Sequence, residues 1–183
     1  MKIDVGKIEW EVKDDFLSPE EFKNIKSIIM GKNLPWNYNE STNPKTAMRK
    51  DDIYFTHTFY MGLADKPSYD DDGKIIPPEK SSYYEVIEPI IEKLPHQILM
   101  RIKSNLYART ESIRHHPTHV YTAFPHRGAI FYLNTNNGLT ILDDKTEISS
   151  VANRMLFFDP SKPHHSTTCT DEKYRANINI NYL

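Results

Sequence analysis

The first part of the chain contains one clear helical pattern of apolar residues. After Ser18, apolar side chains recur at steps of three and four residues, which is the period of one helix face. They are Phe22, Ile25, Ile28 and Ile29. Ser18, Pro19 and Glu21 have the spacing of a capping box with proline at the first helical position. Because Gly31 is a natural stop, the pattern predicts a helix between Ser18 and Gly31.

The segment that follows alternates between predicted elements and polar loops. Ser82–Lys93 carries a second helical pattern, in which we expect Pro89 to kink the helix. Asp52–Tyr60 is rich in β-forming side chains and predicts a strand. Ala64–Glu79 contains clusters of Asp, Gly and Pro, which predict an exposed loop. A loop of this length is either a lid over a binding site or a disordered segment.

From about Gln97 to its end, the chain consists of short apolar or alternating runs separated by turns. The main runs are Ile98–Tyr107, Ala129–Leu133, Thr140–Leu142, Met155–Phe158 and Arg175–Tyr182. A series of short strands without intervening helices is typical of an antiparallel sandwich or barrel. The predicted fold class is therefore α+β. We expect one domain over residues 1–183, with N-terminal helical support in residues 1–95 packed on a β-core in residues 97–183.

Composition and charge exclude several classes of protein. The 183 residues include 23 basic and 25 acidic side chains, for a net charge of -2. Proteins held to nucleic acid by charge usually have a basic excess, so we expect no nucleic-acid partner. A single cysteine, Cys169, excludes an internal disulfide framework and indicates a reducing compartment. The chain has neither a long apolar run nor a secretory signal, so we expect no membrane partner and a cytoplasmic location.

Six of the eight histidines lie between His115 and His165, in two clusters at predicted strand ends. A non-haem iron site of the facial-triad type uses two imidazoles and one carboxylate on one side of the metal. Residues i and i+2 of a strand share a face, so His119 and position 121 have the geometry of a His-x-carboxylate pair. A distant histidine on a neighbouring strand, His164 or His165, would be the third ligand.

The last predicted strand has one polar and one apolar face. Arg175, Asn177 and Asn179 share the polar face. A polar face turned into a barrel suits a ligand pocket better than a core, so we expect Arg175 to bind a ligand. Three other histidines of the histidine-rich segment are expected either to face solvent or to hydrogen-bond around the metal ligands without binding the metal. They are His115, His116 and His126.

Six elements occur in an order that is known from one enzyme family. They are His119-Val120-Tyr121, Tyr132-Leu133-Asn134, Gly138-Leu139-Thr140, Met155–Asp159, His164 and Arg175–Asn179. In this order the chain, from about Asn105 to its end, resembles the 2-oxoglutarate- and Fe(II)-dependent oxygenases. It resembles in particular the small prolyl-4-hydroxylase-like proteins of marine viruses and bacteria. A viral member would act in the cytoplasm of its host.

The resemblance implies a double-stranded β-helix, or jelly roll, and a set of roles. His119 and His164 would bind Fe(II). Arg175 would pair with the distal carboxylate of 2-oxoglutarate, a task that suits a guanidinium group. Tyr132 would offer its hydroxyl to the same carboxylate, and Thr140 would line the pocket. In the family, Fe(II), O2 and 2-oxoglutarate together hydroxylate a C–H bond of the substrate and release succinate.

The chain departs from the family at one ligand. Tyr121 stands where the family has Asp, and a neutral phenol, with a pKa near ~10, is a poor ligand for Fe(II). Three alternatives follow: two histidines suffice with water or an anion, as in related halogenases; Tyr121 fills the site; or the fold has lost its chemistry. His164 and His165 compete for the distal ligand position, and counting back from Arg175 favours His164.

The leading hypothesis is a 2-oxoglutarate-dependent dioxygenase that hydroxylates a protein or peptide side chain, with proline as a candidate. The main alternative is a non-catalytic jelly-roll module that keeps the 2-oxoglutarate pocket without productive iron chemistry, and Tyr121 separates the two. A metal-binding cupin-like protein is a third alternative, but it leaves Arg175 without a role. No motif identifies the substrate, which is a protein, a peptide or a small molecule. The sequence does not indicate the oligomeric state either.

Overall fold

A computed structural model describes residues 10–40, 53–62, 79–122 and 124–183. The predicted loop at 64–79 lies outside these ranges except for its last residue, so the lid hypothesis stays a prediction. Within the described ranges, no helix is long and apolar enough to cross a membrane. Cys169 is a buried free thiol. The cytoplasmic location stays a prediction.

The described residues form mostly short strands with few helices. The helical elements are α1 (Pro19–Ile29), a 3-10 turn (Tyr84–Ile87) and α2 (Glu88–Ile91). The strands before residue 97 are β1 (Glu11–Lys13), β2 (Asn37–Asn39), β3 (Tyr54–Met61) and β4 (Glu79–Lys80). The later strands are β5 (Leu99–Ala108), β6 (Arg127–Tyr132), β7 (Asn136–Ile141), β8 (Glu147–Ser150), β9 (Met155–Phe158), β10 (His165–Ser166) and β11 (Tyr174–Tyr182).

The strands form two antiparallel sheets with non-sequential order. The larger sheet has the order β1-β9-β6-β11-β5-β3-β2, and β4 pairs with β3. The smaller sheet has the order β10-β7-β8. Hydrogen bonds from Tyr132 and Arg175 of the larger sheet to Thr140 of the smaller one join the two sheets. The architecture is the predicted jelly roll, with the space between the sheets open to side chains from both.

The central strand β11 separates an apolar core from a polar interior. Its side chains Ala176, Ile178 and Ile180 belong to the main core, into which α1 inserts Ile25 and Ile29. Its polar residues point to the opposite side, between the sheets. The predicted alternation along this strand is confirmed, because the apolar side faces the helices and Asn177 and Asn179 line a cavity.

The first predicted helix is confirmed with its capping box. The backbone N–H of Ser18 donates to Glu21 Oε2 at 2.8 Å, and the Glu21 N–H donates to Ser18 Oγ at 3.3 Å. The prediction of one helix over Ser82–Lys93, kinked at Pro89, was wrong. A 3-10 turn and a single α-turn occupy this stretch, and Pro89 lies in the first turn of α2, where its missing N–H is tolerated, so it does not kink a longer helix.

The N-terminal part contributes strands as well as helices. The strand predicted over Asp52–Tyr60 is present as β3, which pairs along β5 inside the larger sheet. At the opposite edge, β1 pairs with β9. The segment before residue 97 therefore both supports the β-core from outside and extends its main sheet.

Candidate functional site

His119 and His164 form a cross-strand pair at the open side of the two sheets. Each backbone N–H donates to the other residue's carbonyl oxygen at 3.0 Å, and the ring centroids are 4.6 Å apart. The Nδ1 atoms lie 3.2 Å from the Pro117 carbonyl oxygen for His119 and 2.9 Å from the Lys162 carbonyl oxygen for His164. An Nδ1–H that donates to a carbonyl leaves Nε2 unprotonated, which is the arrangement of a metal-binding histidine.

Both imidazoles are held in the neutral form at neutral pH. Burial lowers the pKa of His164 to about 4. For His119, desolvation is the largest cause of a lowered pKa, and the positive charges of Lys103 and Arg101 lower it further. A neutral imidazole is the form that binds a metal ion, so the pair needs no proton release to accept one at pH 7.

Arg175 lies fully buried at the floor of the site. Its Nε donates to Ser150 Oγ at 2.8 Å, and its Nη2 donates to Thr140 Oγ1 at 3.0 Å. Within the described part of the chain, its Nη1 has no hydrogen-bond partner. A buried guanidinium with one unpaired nitrogen is suited to a carboxylate ligand, which would satisfy that nitrogen.

Thr140 connects Arg175 with Tyr132. The Tyr132 hydroxyl donates to Thr140 Oγ1 at 2.8 Å, and this oxygen also accepts from Arg175. Since both of these bonds use Thr140 as acceptor, its own hydroxyl proton is available to a ligand. Burial raises the pKa of Tyr132, so its phenol stays neutral and remains a donor.

Gly138 is what allows Arg175 to lie this deep. A Cβ atom at position 138 would be 2.5 Å from Arg175 Cδ and 2.8 Å from Asn136 Oδ1. These distances are far below van der Waals contact, so any larger residue would displace the arginine. The predicted Gly-x-Thr turn lies within strand β7, where it has two structural tasks: the glycine admits the guanidinium stem and the threonine binds its end.

The histidine pair and Thr140 line two cavities that share several residues. The outer cavity has a volume of about 690 Å³, and a narrower one of about 70 Å³ continues from it. Lys103, His119 and His164 line both cavities, and Thr140 lines the narrower one. Four of the predicted site residues therefore line these cavities: His119, Tyr121, His164 and Thr140. Arg175 and Tyr132 are fully buried and reach them only through their hydrogen bonds to Thr140.

Tyr121 lines the outer cavity and is covered by an arginine. The Arg101 guanidinium carbon lies 4.2 Å from the centre of the Tyr121 ring, in a cation–π contact. No set of three His, Cys, Asp or Glu residues in the described ranges is arranged to hold a metal ion. A metal ion bound by these two imidazoles would need water or an anion as a third ligand. The roles predicted for His119, His164, Tyr121, Arg175, Tyr132 and Thr140 stay predictions.

Two basic residues of the site were missed by the sequence analysis. Arg101 and Lys103 lie on the cavity side of β5, partly buried. Burial, and after it the charge of Arg101, lowers the pKa of Lys103 to about 7. The signal that could have found them is their two-residue spacing within the apolar run Ile98–Tyr107, which puts both on one face of the strand.

The remaining histidines differ in their surroundings. His115 is exposed, and its Nδ1 lies 3.2 Å from His165 Nε2. His116 and His126 are buried, so the part of our expectation that put them in solvent was wrong. His116 Nδ1 is 2.8 Å from Ser166 Oγ, and His126 Nε2 is 3.3 Å from Asn181 Oδ1. These contacts hold both rings inside the protein.

Comparison with known proteins identifies the fold. No family model matches the sequence, and no curated protein matches it. Solved structures do match. An oxidoreductase of the 2OG-Fe(II) oxygenase family from Burkholderia pseudomallei aligns with a TM-score of 0.65 and 9% identity, over 94% of this chain and 84% of its own.

Two prolyl hydroxylases also share the fold. The viral collagen prolyl hydroxylase from Paramecium Bursaria Chlorella virus-1, solved with 2OG, aligns with a TM-score of 0.58 and 15% identity, over 95% of this chain and 96% of its own. A prolyl hydroxylase from Trichoplax adhaerens was solved with a peptide fragment of hypoxia inducible factor. It aligns with a TM-score of 0.62 and 10% identity, over 98% of this chain and 86% of its own. The chain therefore has the fold of the 2-oxoglutarate/Fe(II) oxygenases.

Proposed function

We propose that this protein is a 2-oxoglutarate- and Fe(II)-dependent oxygenase that holds iron with two histidines and hydroxylates a side chain of a protein or peptide. The observation that carries the proposal is the arrangement of one continuous cavity. At its outer part lie the paired imidazoles of His119 and His164, and Thr140 lines its inner end. There Thr140 accepts a hydrogen bond from the buried Arg175, whose Nη1 has no partner among the described residues. These are the two ends of a site for a chelated dicarboxylate.

The residues of the chain divide the work of binding between them. Arg175 Nη1 and the Thr140 hydroxyl proton would bind the distal carboxylate of 2-oxoglutarate, while Tyr132 keeps Thr140 oriented. His119 and His164 would bind Fe(II) through Nε2. When bound, Fe(II) with 2-oxoglutarate and O2 supplies the oxidising chemistry that inserts one oxygen atom into a substrate C–H bond and releases succinate and CO2.

Support for a peptide substrate comes from the structural relatives. One of them is a prolyl hydroxylase in complex with a peptide fragment, and another is a viral collagen prolyl hydroxylase. The outer cavity, of about 690 Å³, is large enough for a side chain together with the 2-oxoglutarate end that reaches it. Proline is the candidate side chain that these relatives suggest.

A second function is favoured by the surroundings of Tyr121. Where the family has an anionic ligand, this chain has a phenol ring covered by Arg101, with Lys103 nearby. Arg101 is positively charged close to the histidine pair, and Lys103 adds to this charge when it is protonated, so both oppose the binding of Fe(II) by repulsion. On this argument the alternative is a non-catalytic module that binds 2-oxoglutarate or a similar dicarboxylate without iron.

An anaerobic titration separates the two functions. Wild-type protein is titrated with Fe(II) in the presence of 2-oxoglutarate, and the visible charge-transfer band of the chelated complex is recorded. We expect the band in the wild type and in His96→Gln, a histidine outside the cavity, and its loss in His164→Gln. A wild type that binds 2-oxoglutarate but gives no band, with or without excess Fe(II), would contradict the oxygenase and support the binding module.

A further inference from the structure

The outer cavity has a strongly cationic wall with no acidic side chain to balance it. Arg101 and Lys103 project into it from β5, and no Asp or Glu is present among the described residues that line either cavity. Within those residues, neither cation has a carboxylate partner, and the Nε atom of Arg101 is buried without any hydrogen-bond partner. The polar lining is completed by asparagine side chains, including Asn179.

Arg101 and Lys103 line both cavities, but they differ from the buried Arg175, which lines neither. The floor guanidinium donates to Ser150 and Thr140, both in the smaller sheet, and lies fully buried. Arg101 and Lys103 are instead partly exposed to the outer cavity, beside the histidine pair. A single 2-oxoglutarate molecule bound at the floor would leave the outer cations without a counter-ion on the side where a substrate enters.

Uncompensated cations inside a protein are energetically unfavourable, and an anionic ligand relieves that cost. Removing a charge from water without a partner is costly, whereas a charge-assisted hydrogen bond to a carboxylate or phosphate recovers much of the loss. Burial, and after it the neighbouring Arg101, lowers the pKa of Lys103 to about 7, in agreement with a cation that lacks a partner. Arg101 is oriented by its contact with Tyr121, so its guanidinium is ordered before any ligand arrives.

We infer that Arg101 and Lys103 form an anion site in the outer cavity, and that the substrate carries a carboxylate or phosphate group which binds there. The substrate part of this inference rests on the function proposed above, whereas the anion site does not. Tyr121 thereby has a role that does not involve a metal: its ring positions Arg101. The substrate class is therefore an acidic peptide, which carries the carboxylate or phosphate group near the side chain that is hydroxylated.

Calorimetric titration of the iron-free, full-length protein tests the site. The protein is first saturated with 2-oxoglutarate, which occupies the floor, and is then titrated with three probes. These are inorganic phosphate, N-acetylaspartate methylamide and its neutral asparagine counterpart. We expect one additional equivalent of an anionic probe to bind, at least tenfold more tightly than the asparagine compound. Preference between the two anionic probes then identifies the substrate group as a phosphate or a carboxylate.

Variants assign the binding to the proposed residues. Arg101→Gln and Lys103→Met should each weaken binding of the anionic probe at least tenfold, whereas Lys173→Gln, which removes an exposed cation on the connection before β11, should not. Thermal unfolding of each variant checks its folding, and Lys103→Met alone decides the question if Arg101→Gln does not fold. The inference is overturned if no anionic probe binds, or if the folded variants bind it as tightly as the wild type.

The two proposals fail in different ways. A protein that binds anionic probes through Arg101 and Lys103, but gives no charge-transfer band with Fe(II), retains the anion site and contradicts the oxygenase. A protein that gives the band, but binds no probe in the outer cavity, retains the oxygenase and overturns the anion site.

Discussion

His119 and His164 lie opposite each other in an isolated antiparallel bridge, and their backbones exchange two hydrogen bonds of 3.0 Å. Side chains at directly opposed positions of an antiparallel ladder lie on the same side of it. The pair therefore needs no local sequence motif, since strand pairing alone brings the two rings to a centroid distance of 4.6 Å. What the pairing does not provide is a third, anionic ligand.

Replacing Tyr121 by Asp should supply that ligand. The carboxylate would stand two residues from His119 and would add the negative charge that Fe(II) prefers in a facial triad. We expect Tyr121→Asp to tighten Fe(II) binding by at least about tenfold, or about 1.4 kcal/mol, in an anaerobic titration with 2-oxoglutarate.

Tyr121→Asn is the matched control for this variant. It has nearly the same size as Asp and removes the same contact with Arg101, but carries no charge. We expect it to bind Fe(II) no more tightly than the wild type. Equal affinities of the Asp and Asn variants would show that position 121 does not reach the metal.

A methyl group at Gly138 should disturb the floor of the site. The added Cβ would lie 2.5 Å from Arg175 Cδ, so the arginine must move and its bond to Thr140 is lost. We expect Gly138→Ala to lower the free energy of unfolding by about 1–3 kcal/mol and to weaken 2-oxoglutarate binding at least tenfold by calorimetry.

Gly128→Ala provides the comparison for Gly138→Ala. The atoms nearest to a Cβ at position 128 belong to the ring of Pro160, the first at 2.8 Å, and Gly128 pairs with Asn181 at the other end of β11 from Arg175. This variant should lose stability by a similar mechanism but keep its 2-oxoglutarate affinity. If both glycine variants lost affinity equally, the effect would be a general loss of structure and would not be due to the position of Arg175.

The β-core and the polar face of its last strand were predictable because they follow from strand periodicity. The alternation from Arg175 to Ile180 has a period of two, so the face of each residue is fixed once the strand exists. The form of Ser82–Lys93 was not predictable from its apolar spacing alone. Pro89 is compatible with the first turn of a new helix as well as with a kink, and tertiary packing decides between the two.

The site itself was predictable in part. Resemblance to a family brought together six predicted residues, of which four line connected cavities in the structure. The other two, Arg175 and Tyr132, are buried and hydrogen-bonded to Thr140. Arg101 and Lys103 were missed, because charged residues on a strand usually face solvent and only the sheet order shows that this face is covered. The burial of His116 and His126 was missed for a related reason. Their partners Ser166 and Asn181 are 50 and 55 residues away in the sequence.

Removing the Thr140 hydroxyl should reveal how strongly the floor residues are coupled. Thr140→Val leaves the Tyr132 hydroxyl and Arg175 Nη2 buried without their common acceptor. We expect a loss of about 1–3 kcal/mol in the free energy of unfolding by chemical denaturation. Tyr132→Phe alone should cost less, because the Thr140–Arg175 bond survives. In the double variant the losses should be less than additive, and strict additivity would contradict the network.

The free energy of unfolding should fall as the pH is lowered from about 7 to 5. Most carboxylates remain ionised over this range, so they contribute little to the change. The pKa of His116 is lowered to about 3, chiefly by burial and then by the charge of Arg175, and that of His164 is lowered to about 4 by burial. In the unfolded chain both rings take up protons below a pKa of about 6.5. The unfolded state thus binds more protons than the folded state in this range, and acidification favours it.

Thermal unfolding at closely spaced pH values measures this dependence. The midpoint temperature should decrease steadily from pH 7 to pH 5, and the slope should be shallower in His116→Gln, which can still bond to Ser166 but cannot take up a proton. His96→Gln, at a partly exposed position outside the cavities, should keep the slope of the wild type. A midpoint that does not change over this range, or an unchanged slope in His116→Gln, would mean that the buried histidine at 116 does not resist protonation in the folded protein.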